Sequence, residues 1–235
     1  MYSIIEKIND NVYLSTINIP GFIKSGMREL VPADYRTSPG IDLIACKPAA
    51  EYCSSGEIAR VANARSLKRQ IEWLCGRIAL KELLQSVKYP ELGFKDIVIT
   101  YDSSGKPCVS GHEDTGISVS HSGDLAMAAL HIVPGKKLGI DVERTGGTDP
   151  GAVMSVAFTP EERLKYRDRP LEEIIAVFTL KEAYLKLAGR GFHEVITKVS
   201  VKENKISFDG IAVEGIQTEV RNYSSGYKLS VIYEE

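Results

Sequence analysis

Residues 178–192 read FTLKEAYLKLAGRGF, the pattern of a helix that stops at a glycine. Phe178, Ala183, Tyr184, Leu185 and Leu187 claim most of its circumference, yet Lys181, Glu182 and Lys186 put charge among them. Glu182 and Lys186 share a face one turn apart, whereas Lys181 points about 100° away from Glu182. On an isolated helix this is a wet i, i+4 pair worth a few tenths of a kcal/mol. With so little of the circumference polar, some of the charge has to lie near packed surface. The periodicity extends the helix back to about Leu171, and Gly189 is its C-terminal stop.

Working outward, Thr159-Pro160-Glu161-Glu162 is a capping box with proline at the first helical position. Further upstream, GIDVE (139–143) reads as a strand. Residues i and i+2 project from one face about 7 Å apart. Asp141 and Glu143 therefore point together while Ile140 and Val142 point into a core. An outward acid of this kind contributes little to the fold, so Asp141→Ala is expected to leave the fold near normal. Two readings stand for the pair: a solvent-facing or ion-paired strand, or part of a cation site, since parallel carboxylates repel unless a positive charge lies between them. A third acid, Glu182, would complete a set suited to Mg²⁺, which takes oxygen ligands, keeps several waters and is completed by phosphates. Lysines one turn away would neutralise the rest of a pyrophosphate.

The other half of the chain repeats this texture. SLKRQIEWLCGRIALKELLQSV starts at Ser66, a candidate cap, and places Ile71, Leu74, Cys75, Ile78, Ala79 and Leu83 on one stripe. Arg69, Arg77 and Lys81 fall off it. Strands are expected at Asn11–Thr16, Ile41–Ala45 and Asp96–Tyr101, followed by the turn DSSGKP. GISVSHS and LAMAALHIV flank Gly123-Asp124 as a hairpin, and LGIDVE extends it to a three-stranded meander. VITKVSVK and GYKLSVIYEE are the last strand candidates. Each half thus carries one long helix and several antiparallel strands: an α+β fold of two subdomains, 1–135 and 136–235, joined near Pro134–Lys137.

Bulk properties narrow the function classes. The 235 residues are 43% hydrophobic and 26% charged, with 29 basic against 31 acidic residues and a net charge of −2. Nothing global favours nucleic acid or a membrane. The N-terminus has no signal-peptide pattern. Apolar runs such as IIAVF and AMAAL fall far short of the roughly twenty residues of a membrane span. Cys46, Cys53, Cys75 and Cys108 lack zinc spacing and read as buried thiols. The expected location is cytoplasmic.

GIDVE followed some forty residues on by FTLKEAYLK resembles the paired signature of the 4′-phosphopantetheinyl transferases. SVSHSGDLAMAAL is similar to that family's Ser-His-Ser hairpin, GKPCV to its Gly-Lys-Pro turn, and RQIEWLCGRIALKELL to its arginine-bearing helix. The resemblance covers roughly residues 66–192, and the length points to the larger, surfactin-type class: a monomer of two pseudo-twofold-related subdomains. Phe178 stands where many members of that class carry tryptophan. These enzymes move the phosphopantetheine arm of coenzyme A to a serine of an apo carrier protein, releasing adenosine 3′,5′-bisphosphate.

The resemblance implies that Asp141, Glu143 and Glu182 bind Mg²⁺ and that Lys186, with Lys181 near it, meets the pyrophosphate. Catalysis would fall to Glu182 as base with Lys186 and Asp141. His121 would meet the 3′-phosphate with Arg69 or Arg77, although both arginines read equally as exposed helix charges. Lys106 and Pro107 would line the adenine end, and Ser120 and Ser122 would frame the pocket. This puts the adenine and 3′-phosphate side on 1–135 and the metal and pyrophosphate side on 136–235. His112, His131 and His193 read as structural. Two rival readings remain: a metal-dependent phosphohydrolase or nuclease, and a non-catalytic module binding coenzyme A or a carrier protein.

Overall fold

The computed structural model describes residues 1–62, 64–190 and 194–235. His193 therefore lies outside the described residues. The chain divides into two units: Met1–Thr100 with Pro107–Pro134, and Tyr101–Lys106 with Gly135–Glu235.

The first unit contains β1 (Ile4–Lys7), β2 (Val12–Asn18), α1 (Ile19–Phe22), α2 (Lys47–Tyr52), α3 (Ser55–Ala62) and α4 (Leu67–Val87). The short strands β3 (Ile99–Tyr101) and β4 (Pro107–Val109) pair with each other, and β5 (Gly116–Ser122) and β6 (Leu125–His131) form a hairpin. The four-stranded antiparallel sheet has the order β1-β2-β6-β5. Helix α4 lies across β6 and β2, and α1, α2 and α3 pack on it from elsewhere. It is therefore buried nearly all round. Leu67, Ile71, Leu74, Cys75 and Ile78 fill the core, but Arg77, Lys81 and Glu82 are buried as well. Gly76 lets α4 settle on the sheet, since a Cβ there would stand 2.9 Å from Val119 Cγ1.

The second unit contains β7 (Leu138–Arg144), α5 (Pro150–Ala157), α6 (Pro160–Tyr166) and α7 (Leu171–Leu187). They are followed by β8 (Val199–Lys202), β9 (Lys205–Phe208), β10 (Ile211–Ala212), β11 (Ile216–Asn222) and β12 (Tyr227–Glu234). Its strands form two antiparallel sheets, β11-β12-β7 and β10-β9-β8. Helix α7 packs on β7 and β12. It ends where expected: Arg190 N donates to Leu185 O at 2.9 Å, and Gly189 takes the left-handed conformation (φ 67°) this closure requires. Thr159 and Glu162 form the reciprocal capping box at the start of α6. Phe178 is half-buried against the second core.

Several local expectations are corrected. LGIDVE does not extend the β5–β6 hairpin into a meander: β6 already has β2 on its other side, and β7 pairs with β12. Ile41–Ala45 is not a strand; Asp42 caps a 3₁₀ turn at Leu43–Ala45. Ser66 occupies the N-cap position of α4, yet its side chain makes no capping bond. No described helix is long and apolar enough to cross a membrane. Cys46, Cys53 and Cys75 are buried, Cys108 is half-buried, and no disulfide joins them.

Candidate active site

The face of β7 that carries Asp141 is pressed against α7, because Gly139 two residues earlier has no side chain. A Cβ on Gly139 would lie 1.9 Å from the Ala183 carbonyl oxygen and 2.6 Å from Leu187 N. This close approach puts the strand acid beside the helix charges. Lys186 Nζ donates to Asp141 Oδ1 at 2.7 Å. The Glu182 carboxyl is pushed above its ordinary value by burial first and by the charge of Asp141 second, with Lys186 acting in the opposite direction. Asp141, Glu182 and Lys186, brought from β7 and α7, thus form one electrostatic unit. Asp141 is not the outward acid the alternation implied: it is 4% exposed and ion-paired, so its loss would also cost stability. Glu143 follows on the same face and is half-buried.

Lys181 is corrected. Its side chain is fully buried, with Nζ donating to Ala157 O at 2.8 Å and to Glu162 of the capping box. The rotation of about 100° from Glu182 turns it into the core, where it ties α7 to the start of α6. It cannot meet a pyrophosphate from there. Lys181→Met would leave Glu162 buried without its cation. We expect a loss of about 3–5 kcal/mol in stability with the turnover of the folded fraction nearly unchanged, read from thermal melts and from rates measured well below the transition.

The first unit offers an internal comparison that the sequence reading passed over. Leu80-Lys81-Glu82 on α4 repeats Leu180-Lys181-Glu182 on α7. Lys81 is also fully buried, donating to Glu57 Oε2 at 2.7 Å and to Tyr52 O at 2.8 Å. The two glutamates differ. Glu82 accepts from Tyr2 N and Ser3 N, both at 2.7 Å, and from the hydroxyls of Ser3 and Tyr52, both at 2.6 Å. Glu182 accepts no hydrogen bond from any described residue; burial and neighbouring charges alone shift it.

The other expected ligands scatter. His121, at the end of β5, has a 46% exposed side chain with Nδ1 3.8 Å from Glu72 Oε2. Ser120 is buried, Ser122 half-buried, and Arg69 exposed in the first turn of α4. Arg77 is not on a wet face. It is 5% exposed, with Nε 3.6 Å from Glu57 Oε1 and the guanidinium 5.2 Å from the Trp73 ring centroid. Glu57, already bound by Lys81, draws it inward. Lys106 closes the 102–106 turn, with its N donating to Asp102 Oδ1 at 3.0 Å, and Pro107 starts β4 half-buried. His131 is buried, its Nδ1 accepting from Val133 N at 3.2 Å, and His112 lies 4.7 Å from the Tyr89 ring. Glu72 was not singled out from sequence, although its i, i+4 relation to Lys68 on α4 is a signal.

Among the described residues no group of three or more His, Cys, Asp or Glu side chains is assembled to hold a metal ion. The expected three-acid cluster is thus not formed, and Lys186 stands on Asp141 where a cation would neutralise it. What is present is a pair of carboxylates with oxygen donors only, the charge of Asp141 adding to burial in opposing the ionisation of Glu182. That pair fits Mg²⁺, which binds through one or two carboxylates and otherwise through water and substrate phosphates.

Sequence comparison identifies the family. The family described as the 4′-phosphopantetheinyl transferase superfamily matches residues 137–231, from the start of β7 into β12. The chain is 27% identical over 143 residues to 4′-phosphopantetheinyl transferase psf-1 of Bacillus pumilus, covering 59% of this chain and 58% of the relative. It is 24% identical over 149 residues to 4′-phosphopantetheinyl transferase Sfp of Bacillus subtilis, covering 60% and 65%. The chain thus aligns with less than two thirds of the length of either. To the holo-acyl-carrier-protein synthase of Geobacillus sp. it is 40% identical over 83 residues, covering 32% of this chain and 70% of the relative. The shared stretch carries both β7 and α7, the two elements that bring Asp141, Glu182 and Lys186 together, and the chain belongs to the 4′-phosphopantetheinyl transferase superfamily.

Proposed function

We propose that the protein transfers the 4′-phosphopantetheine arm of coenzyme A to a serine of an apo acyl or peptidyl carrier protein and releases adenosine 3′,5′-bisphosphate. One observation carries this: Glu182 accepts no hydrogen bond from a described residue beside Asp141 and Lys186, whereas Glu82, in the same tripeptide of the first unit, is fully bonded. A carboxylate held in that state suits a ligand with cationic or hydroxylic groups, and its intact surroundings argue against a decayed, binding-only relative.

In the reaction the serine Oγ attacks the β-phosphorus, its bond to the adenosine-side phosphate oxygen breaks, and the serine proton must be taken up. Asp141 and Glu182, with Glu143 nearby on the strand, would hold Mg²⁺, which supplies charge neutralisation on the diphosphate oxygens. Glu182, directly or through a water held by the metal, is the group we assign to receive the serine proton. Lys186, 26% exposed on its helix face, would neutralise charge on the phosphate that leaves. In the first unit His121, with Arg69, would meet the 3′-phosphate, and Ser120 and Pro107 keep supporting roles on the adenine side, as does Lys106 of the second unit. Arg77 and Lys181 drop out as ligands. We assign the working form as a monomer in the cytoplasm.

The test is a mass measurement. An apo carrier domain incubated with the protein, coenzyme A and Mg²⁺ is expected to gain the mass of one phosphopantetheine arm. EDTA should stop the gain and excess Mg²⁺ restore it. No gain across fatty-acid, polyketide and nonribosomal-peptide carriers, with phosphate or nucleotide released in the absence of any carrier, would establish a phosphohydrolase instead.

A further inference from the structure

We propose that Glu72 is a positioning residue for His121, holding Nδ1 of the imidazole toward α4 so that Nε2 is presented outward to a phosphate monoester. This rests on the coenzyme A reading above. The Glu72 side chain is only 6% exposed, beside a histidine that is 46% exposed. Burying a carboxylate is costly unless each oxygen finds a partner, and an ordinary surface histidine has no use for one. Here the two oxygens are divided: Oε1 lies 3.1 Å from Lys68 Nζ and Oε2 lies 3.8 Å from His121 Nδ1. The second distance is that of an ion pair, and it tightens to a hydrogen bond with a small ring movement once Nδ1 carries a proton.

The charges favour an anion. Lys68 and Glu72 cancel, so a proton on the imidazole makes His121 the net positive group of the three. Glu72 fixes which nitrogen faces inward, as a carboxylate does for a metal-bound or catalytic histidine. The backbone beneath is secured independently. Ile19 N donates to Asp124 O at 2.8 Å, and the Arg36 guanidinium pairs with Asp124 Oδ1. His121 lies opposite Ala126 in the hairpin register, a neighbour without charge. Charged groups on the elements packed at this point include Glu72, Lys68 and Arg69 on α4, and Asp124 with Arg36 at the hairpin turn.

The experiment compares wild type, Glu72→Gln and Lys68→Met. The His121 imidazole is followed by NMR across pH in the full chain without substrate. Glu72→Gln should lower its titration midpoint by about one unit, and Lys68→Met should raise it, since Glu72 then faces His121 alone. In transfer assays Glu72→Gln should raise KM for coenzyme A about tenfold. kcat should hold, as should KM for dephospho-coenzyme A, which lacks the 3′-phosphate. An unchanged midpoint in both variants overturns the proposal, as does an equal rise in KM for both substrates, which marks a packing role. Lys68 is half-exposed, so that variant reports even if Glu72→Gln fails to fold. If wild type transfers nothing from coenzyme A, the functional reading fails while the NMR comparison still decides whether Glu72 governs His121.

Discussion

Glu182→Gln is expected to lower transfer about a thousandfold and, at neutral pH, to make the folded protein more stable. The two effects share a cause. The Glu182 carboxyl is raised above its ordinary value by burial and by Asp141, so its charged form is disfavoured in the fold. The folded state then binds a proton more readily than the unfolded chain, and stability falls as pH rises from the unfolded pKa, about 4.3 for glutamate, through the raised folded value. Above the raised folded value the penalty is complete; below the unfolded pKa both states are protonated and it vanishes. Glutamine carries no charge and escapes it. Melts in EDTA should therefore show the variant above wild type at pH 7 and level with it near pH 4. Added Mg²⁺ should raise the wild-type transition and leave the variant's unmoved, because a ligand stabilises only the state that binds it.

The matching change in the first unit reverses the sign. Glu82→Gln removes a carboxylate that four donors hold, and should cost about 2–3 kcal/mol at pH 7. If both variants lose stability, Glu182 is a structural acid and the site reading fails. Natural enzymes retain strained or unsatisfied groups where chemistry needs them, and this pair measures that cost within one molecule.

What the sequence discloses follows the range of the interactions. The ends of α7, the capping box before α6 and the β5–β6 turn depend on residues within a few positions, and each was readable. The β7–β12 pairing joins residues some ninety positions apart, and a preference for neighbouring strands points instead to β6. Lys181 misled for a related reason. Beside Glu182 it reads as a neighbour of the pyrophosphate unless its buried partner is known, and Glu162 comes from an earlier helix. Arg77 repeats the lesson with Glu57. The motifs point to Asp141 and Glu182, but not to the burial of Asp141 or to the absence of a three-acid cluster among the described residues. Of the β8–β9–β10 sheet, β8 lies within the strand candidate VITKVSVK, whereas β9 and β10, four and two residues long, leave almost no sequence signal.

Gly139→Ala should be among the most damaging single changes in the chain, although it adds one methyl group. The added Cβ would fall 1.9 Å from the Ala183 carbonyl oxygen and 2.6 Å from Leu187 N, well inside van der Waals contact. Both are backbone atoms of α7, so no rotamer change relieves the clash; the helix has to move off the sheet as a body. Overpacking of this kind costs about 3 kcal/mol or more, a fall in melting temperature on the order of 10 °C. Because Asp141 lies two residues along the same face, the displacement also separates it from Glu182 and Lys186, and activity should fall further than the folded fraction does. Ala183→Gly should give no rescue, since the obstacle is the carbonyl and not the methyl. Gly56→Ala is the control: it lies within α3 with nothing near its missing Cβ, and should gain about 0.5–1 kcal/mol from helix propensity. A Gly139→Ala protein with wild-type stability and rate would mean that α7 does not rest on β7 at this distance, and the geometry uniting Asp141 with Glu182 would have to be abandoned.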